Sequence, residues 1–162
     1  MAFTRDLLGF TELDQVTSVD VAGDEAWIGV GYALPGGGSS TAAVIHLARF
    51  GRGEHAPWEV VGTRDEDLVL DTPRYGSNVT SPLSVGGEIT GVDESLRVDV
   101  RQVGHEGRLG HFCCAAAGGQ RQRWEATVDY SGAGPAALTV VVSTGGHVMD
   151  VERFAITAVR SS

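Results

Sequence analysis

Apolar residues along this chain recur at every second position in short runs, and clusters of Gly, Pro, Asp and Ser separate the runs. A period of two places successive side chains on opposite faces of a β-strand. The sharpest example is Leu96-Arg-Val-Asp-Val-Arg-Gln-Val103, in which apolar and charged residues alternate. This pattern predicts a strand whose inward residues are Leu96, Val98, Val100 and, after a slip of one position, Val103.

The first half of the chain contains five runs that predict an antiparallel meander of hairpins. They are Thr17–Ala22, Ala26–Leu34, Thr41–Phe50, Trp58–Gly62 and Asp67–Leu70. Helical spacing is confined to Phe3–Val16, where Gly9 weakens it. That segment is therefore predicted to be a short turn or an extended arm.

The second half contains seven short runs within about 90 residues, which is typical of a β-sandwich. They are Val79–Ser81, Leu83–Thr90, Leu96–Val103, Leu109–Ala115, Arg123–Tyr130, Ala137–Ser143 and Asp150–Val159. The residues predicted to face inward are Leu96, Val98, Val100, Trp124, Val128, Leu138, Val140 and Val142.

The clearest boundary lies at Thr72-Pro-Arg-Tyr-Gly-Ser77, where Pro and Gly break regular structure. It divides the chain into an N-terminal antiparallel β lobe at residues 1–71 and an immunoglobulin-like β-sandwich at residues 72–162. The predicted fold class is therefore all-β, with an antiparallel β meander followed by an immunoglobulin-like β-sandwich.

The order of short motifs in the second half resembles a known domain. Val79-Thr-Ser-Pro-Leu-Ser-Val-Gly-Gly87 precedes Leu96-Arg-Val-Asp-Val-Arg, Gly107-Arg-Leu-Gly and Trp124-Glu-Ala-Thr-Val. This order resembles the immunoglobulin-like domain of bacterial spore germination proteins, and Trp58-Glu-Val-Val upstream resembles the lead-in of actinobacterial envelope proteins that carry it. The resemblance implies an accessory or interaction module without an active site, commonly exported.

The charge of the chain is negative and unevenly distributed. Its net charge is −9 over 162 residues. Residues 1–71 carry twelve acidic residues against four Arg, whereas residues 72–162 carry nine against eight. Because an acidic protein repels phosphate backbones and anionic lipid, the charge argues against nucleic acid and membrane surfaces as partners. No apolar run is long enough to span a membrane.

The basic residues of the chain are all Arg, and the absence of Lys excludes several mechanisms. A Schiff base, a pyridoxal-phosphate anchor and a P-loop all require a lysine. The chain also lacks the nucleophile elbow of a serine hydrolase. We therefore predict no catalytic residue and no cofactor.

The two cysteines, Cys113 and Cys114, are adjacent, so they form no disulfide framework. We expect free thiols or a minor structural role. His111 and Cys113 share one strand face but match no zinc signature, and the acidic run Asp65–Asp67 lacks the spacing of a calcium loop. No metal site is predicted.

Two groups of residues are candidates for binding. Arg97, Arg101, Arg121 and Arg123 project from strands of the second half, and Arg is enriched in protein interfaces. The alternative is a pocket in or between the β lobes, lined by Tyr32, His46 and Trp58.

Two functions therefore remain open on the sequence. The first is a non-catalytic binding or interaction module of the cell envelope, with a protein partner. The second is a small-molecule binding protein, or an enzyme, with the pocket just described. The resemblance implies an exported or envelope location, whereas Met1 as the native start implies a cytoplasmic one, since no apolar signal segment follows it.

Overall fold

The protein is built almost entirely of β-strands. The computed structural model describes residues 2–53 and 55–162, with the backbone alone at residues 92–94. Ten strands follow a π-helical turn at Phe3–Leu7. They are β1 (Gln15–Ala22), β2 (Glu25–Ala33), β3 (Ser39–Arg49), β4 (Trp58–Arg64), β5 (Leu68–Thr72), β6 (Asn78–Val79), β7 (Leu83–Gln102), β8 (Gly110–Val128), β9 (Leu138–Thr144) and β10 (Arg153–Ser161). The all-β prediction is confirmed.

Four of the five predicted runs form an antiparallel meander, in the order β1-β2-β3-β4. Short loops connect them, as expected of consecutive antiparallel strands. The fifth run is corrected, because it forms β5 and pairs with β7 in the second sheet. The segment before β1 folds as the short turn that the sequence left open. Gly9 follows this turn with a φ of 75°, a conformation that favours glycine and does not continue a right-handed helix.

The second sheet has the order β5-β7-β9-β10-β6, with β8 also paired to β7. Here the prediction of seven short runs is wrong at two places, because β7 and β8 each join two predicted runs into one strand of 20 and 19 residues. The glycines between the runs do not end the strands. Since the two strands pair with each other, irregularities in register between Ile89 and Arg97 absorb the extra residues and pairing resumes beyond them.

The first hydrophobic core belongs to the second sheet, to which Leu68 of β5 contributes, and it contains eight of the residues predicted to face inward, so the prediction is confirmed at those eight positions. One neighbouring position is corrected. Val103 is 71% exposed, and Gln102 takes the buried place instead. The Gln102 amide donates to the carbonyls of Gly134 and Ala136 and accepts from the Gly134 N–H, which satisfies a buried polar side chain.

The second core lies between the first sheet and the outer side of β9 and β10. Tyr32 and Ile45 from the first sheet pack there with Val141, Phe154 and Ile156. The segment before β1 closes the same core, and the rings of Phe10 and Phe154 meet edge to face with centroids 5.4 Å apart. Residues on both sides of the predicted boundary thus share one core, and the boundary itself stays a prediction.

No helix in the described part of the chain has the length and hydropathy needed to cross a bilayer.

Phe154 offers a direct measure of how much the second core contributes. It is fully buried, so Phe154→Ala should lower the free energy of unfolding by about 3–5 kcal/mol, the usual cost of removing a buried phenyl ring. The matched variant Phe50→Ala removes a ring that is 46% exposed and should change stability by less than about 1 kcal/mol. Urea denaturation of both variants provides the comparison, and equal losses would show that the second core contributes little.

Candidate functional site

Charged side chains converge in a cleft beside the second half of β7. The cleft has a volume of about 190 Å³. The segment before β1 lines one part of it, and the end of β9 and the loop after it line another. Its ionisable residues are Glu12, Arg97, Asp99, Arg101, Arg108, His111 and Asp150.

Asp99 is the centre of this cluster because three cationic or donor side chains contact its carboxylate. The His111 ring nitrogen Nδ1 lies 2.6 Å from Oδ1, and a terminal nitrogen of Arg108 lies 3.3 Å from the same oxygen. A guanidinium nitrogen of Arg101 lies 3.6 Å from Oδ2. The side chains of Asp99 and Arg101 are only 13% and 12% exposed, so water screens their interaction less than that of a surface pair.

The proton on His111 can be assigned from these distances. Nδ1 lies 2.6 Å from the Asp99 carboxylate and 2.8 Å from Arg108, which has donors only. An unprotonated Nδ1 would set a lone pair against the carboxylate at the shorter contact. We therefore assign the proton to Nδ1, which donates to Asp99, and this leaves Arg108 to bind Asp99 directly.

Arg101 joins the N-terminal segment to the second sheet. Its guanidinium donates to the Leu7 carbonyl at 3.2 Å. Burial lowers the pKa of Arg101, and the charge of Asp99 offsets only part of that effect. Gly9 makes the close approach feasible, because a Cβ there would lie 3.1 Å from the guanidinium. Arg101 is thus a structural link as well as a wall of the cleft.

Arg97 reaches the loop between β9 and β10, where it donates to the Asp150 carbonyl at 3.1 Å. The Glu152 carboxylate organises this loop, because it accepts the backbone N–H groups of His147 and Val148 at 2.6 Å each and of Met149 at 3.3 Å. Partial burial acts to raise the pKa of Glu152, but these donors outweigh it and the pKa lies below its ordinary value.

The formal charges around the cleft balance when His111 is neutral, with three Arg against three carboxylates. The distribution is nevertheless uneven. Among the described residues, Asp99 is the one carboxylate of the cleft that forms ion pairs, since none joins Glu12 or Asp150 to a cation. The Arg108 side chain is 47% exposed and donates one hydrogen bond to Asp99. Most of its five N–H donors therefore remain available to a ligand.

The four predicted binding arginines fall into two groups. Arg97 and Arg101 line the cleft, whereas Arg121 and Arg123 lie on the second half of β8. Arg121 pairs with Glu88, and Arg123 pairs with Glu88 and more closely with Asp71. The hydrogen bond from Arg123 lowers the pKa of Asp71. These pairs are exposed, so each contributes little to stability.

The predicted alternative pocket residues occupy different surroundings in the first sheet. Tyr32 is buried in the second core, opposite Ser40 on β3. His46 lies six residues further along β3, about 20 Å at the usual rise of a strand, and stacks on Trp27 with centroids 5.1 Å apart. Trp58 lies beneath the guanidinium of Arg49 at 4.6 Å. The fold does not bring Tyr32 and His46 together.

The cysteines differ from the prediction of free thiols, because Cys113 and Cys114 are joined in a disulfide. The peptide between them is cis, and their Cα atoms lie 3.0 Å apart. Within the part of the chain that the structure describes, no group of three His, Cys, Asp or Glu could hold a metal ion. In the acidic run, Asp67 pairs with Arg153 at 2.6 Å.

A larger open groove of about 1370 Å³ runs along the hairpin of β7 and β8. Small residues of Ala115–Gly119 form much of its lining, so the groove contains few charged groups. The indole N–H of Trp124, at its side, is buried and has no hydrogen-bond partner among the described residues. The charged chemistry of the second half is therefore concentrated in the cleft and not in the larger groove.

Sequence reasoning missed Asp99 and Arg108 as members of a site. The alternation in β7 indicated that Asp99 shares a face with Arg97 and Arg101, which was a usable signal. Arg108 belongs to the turn before β8. It comes within hydrogen-bond distance of Asp99 only because Asp99 pairs with His111 across the hairpin.

The low pKa of Glu152 gives a pH-dependent test of the loop that carries Asp150. The stabilisation is fully present above the unfolded-state pKa, about 4.3 for Glu, and is lost as pH falls through the lower folded-state value. Glu152→Gln should therefore cost about 1 kcal/mol at pH 7, and the difference from wild type should shrink toward pH 3. Denaturation curves at both pH values measure it. The exposed Glu59→Gln is the control, and a pH-independent loss in Glu152→Gln would contradict the role of its charge.

Comparisons with protein-family models, with curated proteins and with solved structures find no match for this chain. The resemblance to the germination-protein domain therefore stays a prediction, and the geometry of the cleft is the basis on which a function can be assigned.

Proposed function

We propose that this protein is a non-catalytic binding module, and that the cleft beside β7 receives a small polar ligand, or the end group of a larger partner, that carries an anionic group. The observation that carries the proposal is the convergence of Arg101, Arg108 and His111 on a single carboxylate, Asp99. Donors in this cluster outnumber the acceptors that they contact, so an incoming carboxylate or phosphate would complete it.

The volume and charge of the cleft restrict the ligand. The volume of about 190 Å³ is below the range of about 300–1,000 Å³ that is typical of pockets for drug-sized ligands, so the cleft suits a smaller, amino-acid-sized group. Glu12 and Asp150 line the same cleft without ion pairs among the described residues, so a ligand that also carries a cationic group would match them. The best match is therefore a small zwitterion, or a chain end with charges of both signs.

The strand pairing supports the expectation of an immunoglobulin-like module. In such sandwiches strand B pairs with E, and C pairs with F, which pairs with G. Here the first half of β7 pairs with β8, its second half pairs with β9, and β9 pairs with β10. In this correspondence the first half of β7 is strand B and its second half is strand C, and the two are joined without a break. A binding role in an exported or envelope protein, as the resemblance implies, is consistent with this pairing.

The proposal is tested by NMR titration of the ¹⁵N-labelled protein with acetate, methylammonium and glycine. We expect saturable shifts at Arg97, Arg108 and His111, with glycine binding more tightly than either single-charge ion. The double variant Arg97→Ala, Arg108→Ala should weaken binding about tenfold or more, since a hydrogen bond to a charged group contributes about 1.5–3 kcal/mol.

The matched control is the double variant Arg121→Ala, Arg123→Ala, which removes two arginines outside the cleft. It should bind the small ligands like the wild type. Shifts that do not saturate with any of the three probes would contradict the cleft as a ligand site. If instead a protein partner from native cell envelope is captured by the wild type and lost only with the Arg121 and Arg123 changes, the interface is the face of β8.

A further inference from the structure

Strand β1 is an end strand of the first sheet, with β2 as its one neighbour. Alternate backbone N–H and C=O groups of such a strand point away from the sheet, where they can pair with another chain. Natural edges are blunted by Pro, Lys and other charged residues, by bulges or by a covering segment. From Gln15 to Ala22, β1 contains no Pro or Lys, its bulge lies near its start, and its last five positions are all exposed.

Three valines make the edge apolar on one face. Val16, Val19 and Val21 are 52%, 63% and 57% exposed. They lie opposite Val30, Ile28 and Ala26 of β2, which face the second core. Directly opposed residues project to the same face of a sheet. The three valines therefore continue the apolar surface of β2 toward the edge of the sheet, where they are exposed to solvent. The bulge between Val16 and Ser18 keeps all three on this face.

The chain segment that carries this apolar strip is acidic. Residues 12–25 contain five acidic residues, and no Arg or Lys occurs between Arg5 and Arg49. Asp20 lies opposite Trp27, hence on the face away from the valines. Among the described residues, Asp20 takes part in no ion pair, whereas Asp24 approaches Arg49 only to 3.9 Å. An incoming strand therefore meets the three valines on one face and Asp20 on the other.

We propose that β1 docks an extended segment of another protein, apolar on one face and basic on the other, which adds to the first sheet as a fifth strand. Backbone hydrogen bonds supply the affinity of strand addition, and alternate side chains supply its specificity. A second copy of this chain is the less suitable occupant, because pairing β1 with β1 brings together two copies of the acidic segment 12–25, whose like charges repel each other. The proposal rests on β1 alone and is independent of the cleft.

The test uses an acetylated and amidated eight-residue peptide in which Arg and Val alternate. We expect it to slow hydrogen exchange at edge amides within residues 15–22, with affinity that falls as salt is added. The double variant Val19→Thr, Val21→Thr keeps strand propensity at exposed positions and should bind about tenfold more weakly, because it removes apolar contacts. Val148→Thr, another exposed valine, is the control and should bind like the wild type.

Two further peptides decide between strand addition and simple charge attraction. A copy that is N-methylated at every backbone amide keeps its side chains but has no N–H to donate to the ladder, and a copy with Glu in place of Arg reverses the charge. Equal binding by either copy would overturn the proposal. Sedimentation of the protein without peptide completes the test, since a dimer that the valine changes dissociate would place a second copy on β1 instead.

Discussion

The continuous pairing of β7 is the constraint on which the rest of the structure depends. Its first half pairs with β5 and with the end of β8, and its second half pairs with β9 and with the start of β8. A shift of one residue in this strand would turn every inward side chain outward. The same register that buries Val98 and Val100 presents Arg97, Asp99 and Arg101 together on the opposite face. Core and cleft are thus two faces of one strand.

The first sheet depends on this arrangement through β9 and β10. Val141 on β9 and Phe154 on β10 turn away from the first core and receive the first sheet and the N-terminal segment. A backbone link reinforces this contact, because the Ile156 N–H donates to the Thr63 hydroxyl at 3.1 Å. The cleft forms where the N-terminal segment passes β7, and this segment is one of its walls. Since Phe10 of the segment packs in the second core, that core holds the wall in place.

Short-range alternation was sufficient to predict the all-β class, the first four strands and most inward residues, because each of these follows from side-chain period and local breakers. It failed where pairing over long distance decides the outcome. Gly118 and Gly119 look like a turn, yet partners on β7 carry β8 through them. Val103 fits the apolar pattern, yet Gln102 is buried because two carbonyls of a distant loop satisfy its amide. The turn before β8 brings Arg108 to Asp99, and no local pattern contains that information.

The cleft also explains why so acidic a chain concentrates arginine beside β7. A guanidinium as buried as that of Arg101 requires a nearby anion, and Asp99 supplies it. One carboxylate cannot satisfy all the donors that surround it, because Arg108 alone presents five. The cluster is consequently stable enough to hold the N-terminal segment in place but retains donors that face solvent. Burial distinguishes it from the pairs of Arg121 and Arg123, because Asp99 and Arg101 are shielded from water whereas those two guanidiniums are exposed. Solvent-facing donors beside a shielded ion pair are the physical basis on which we propose a binding role for the cleft.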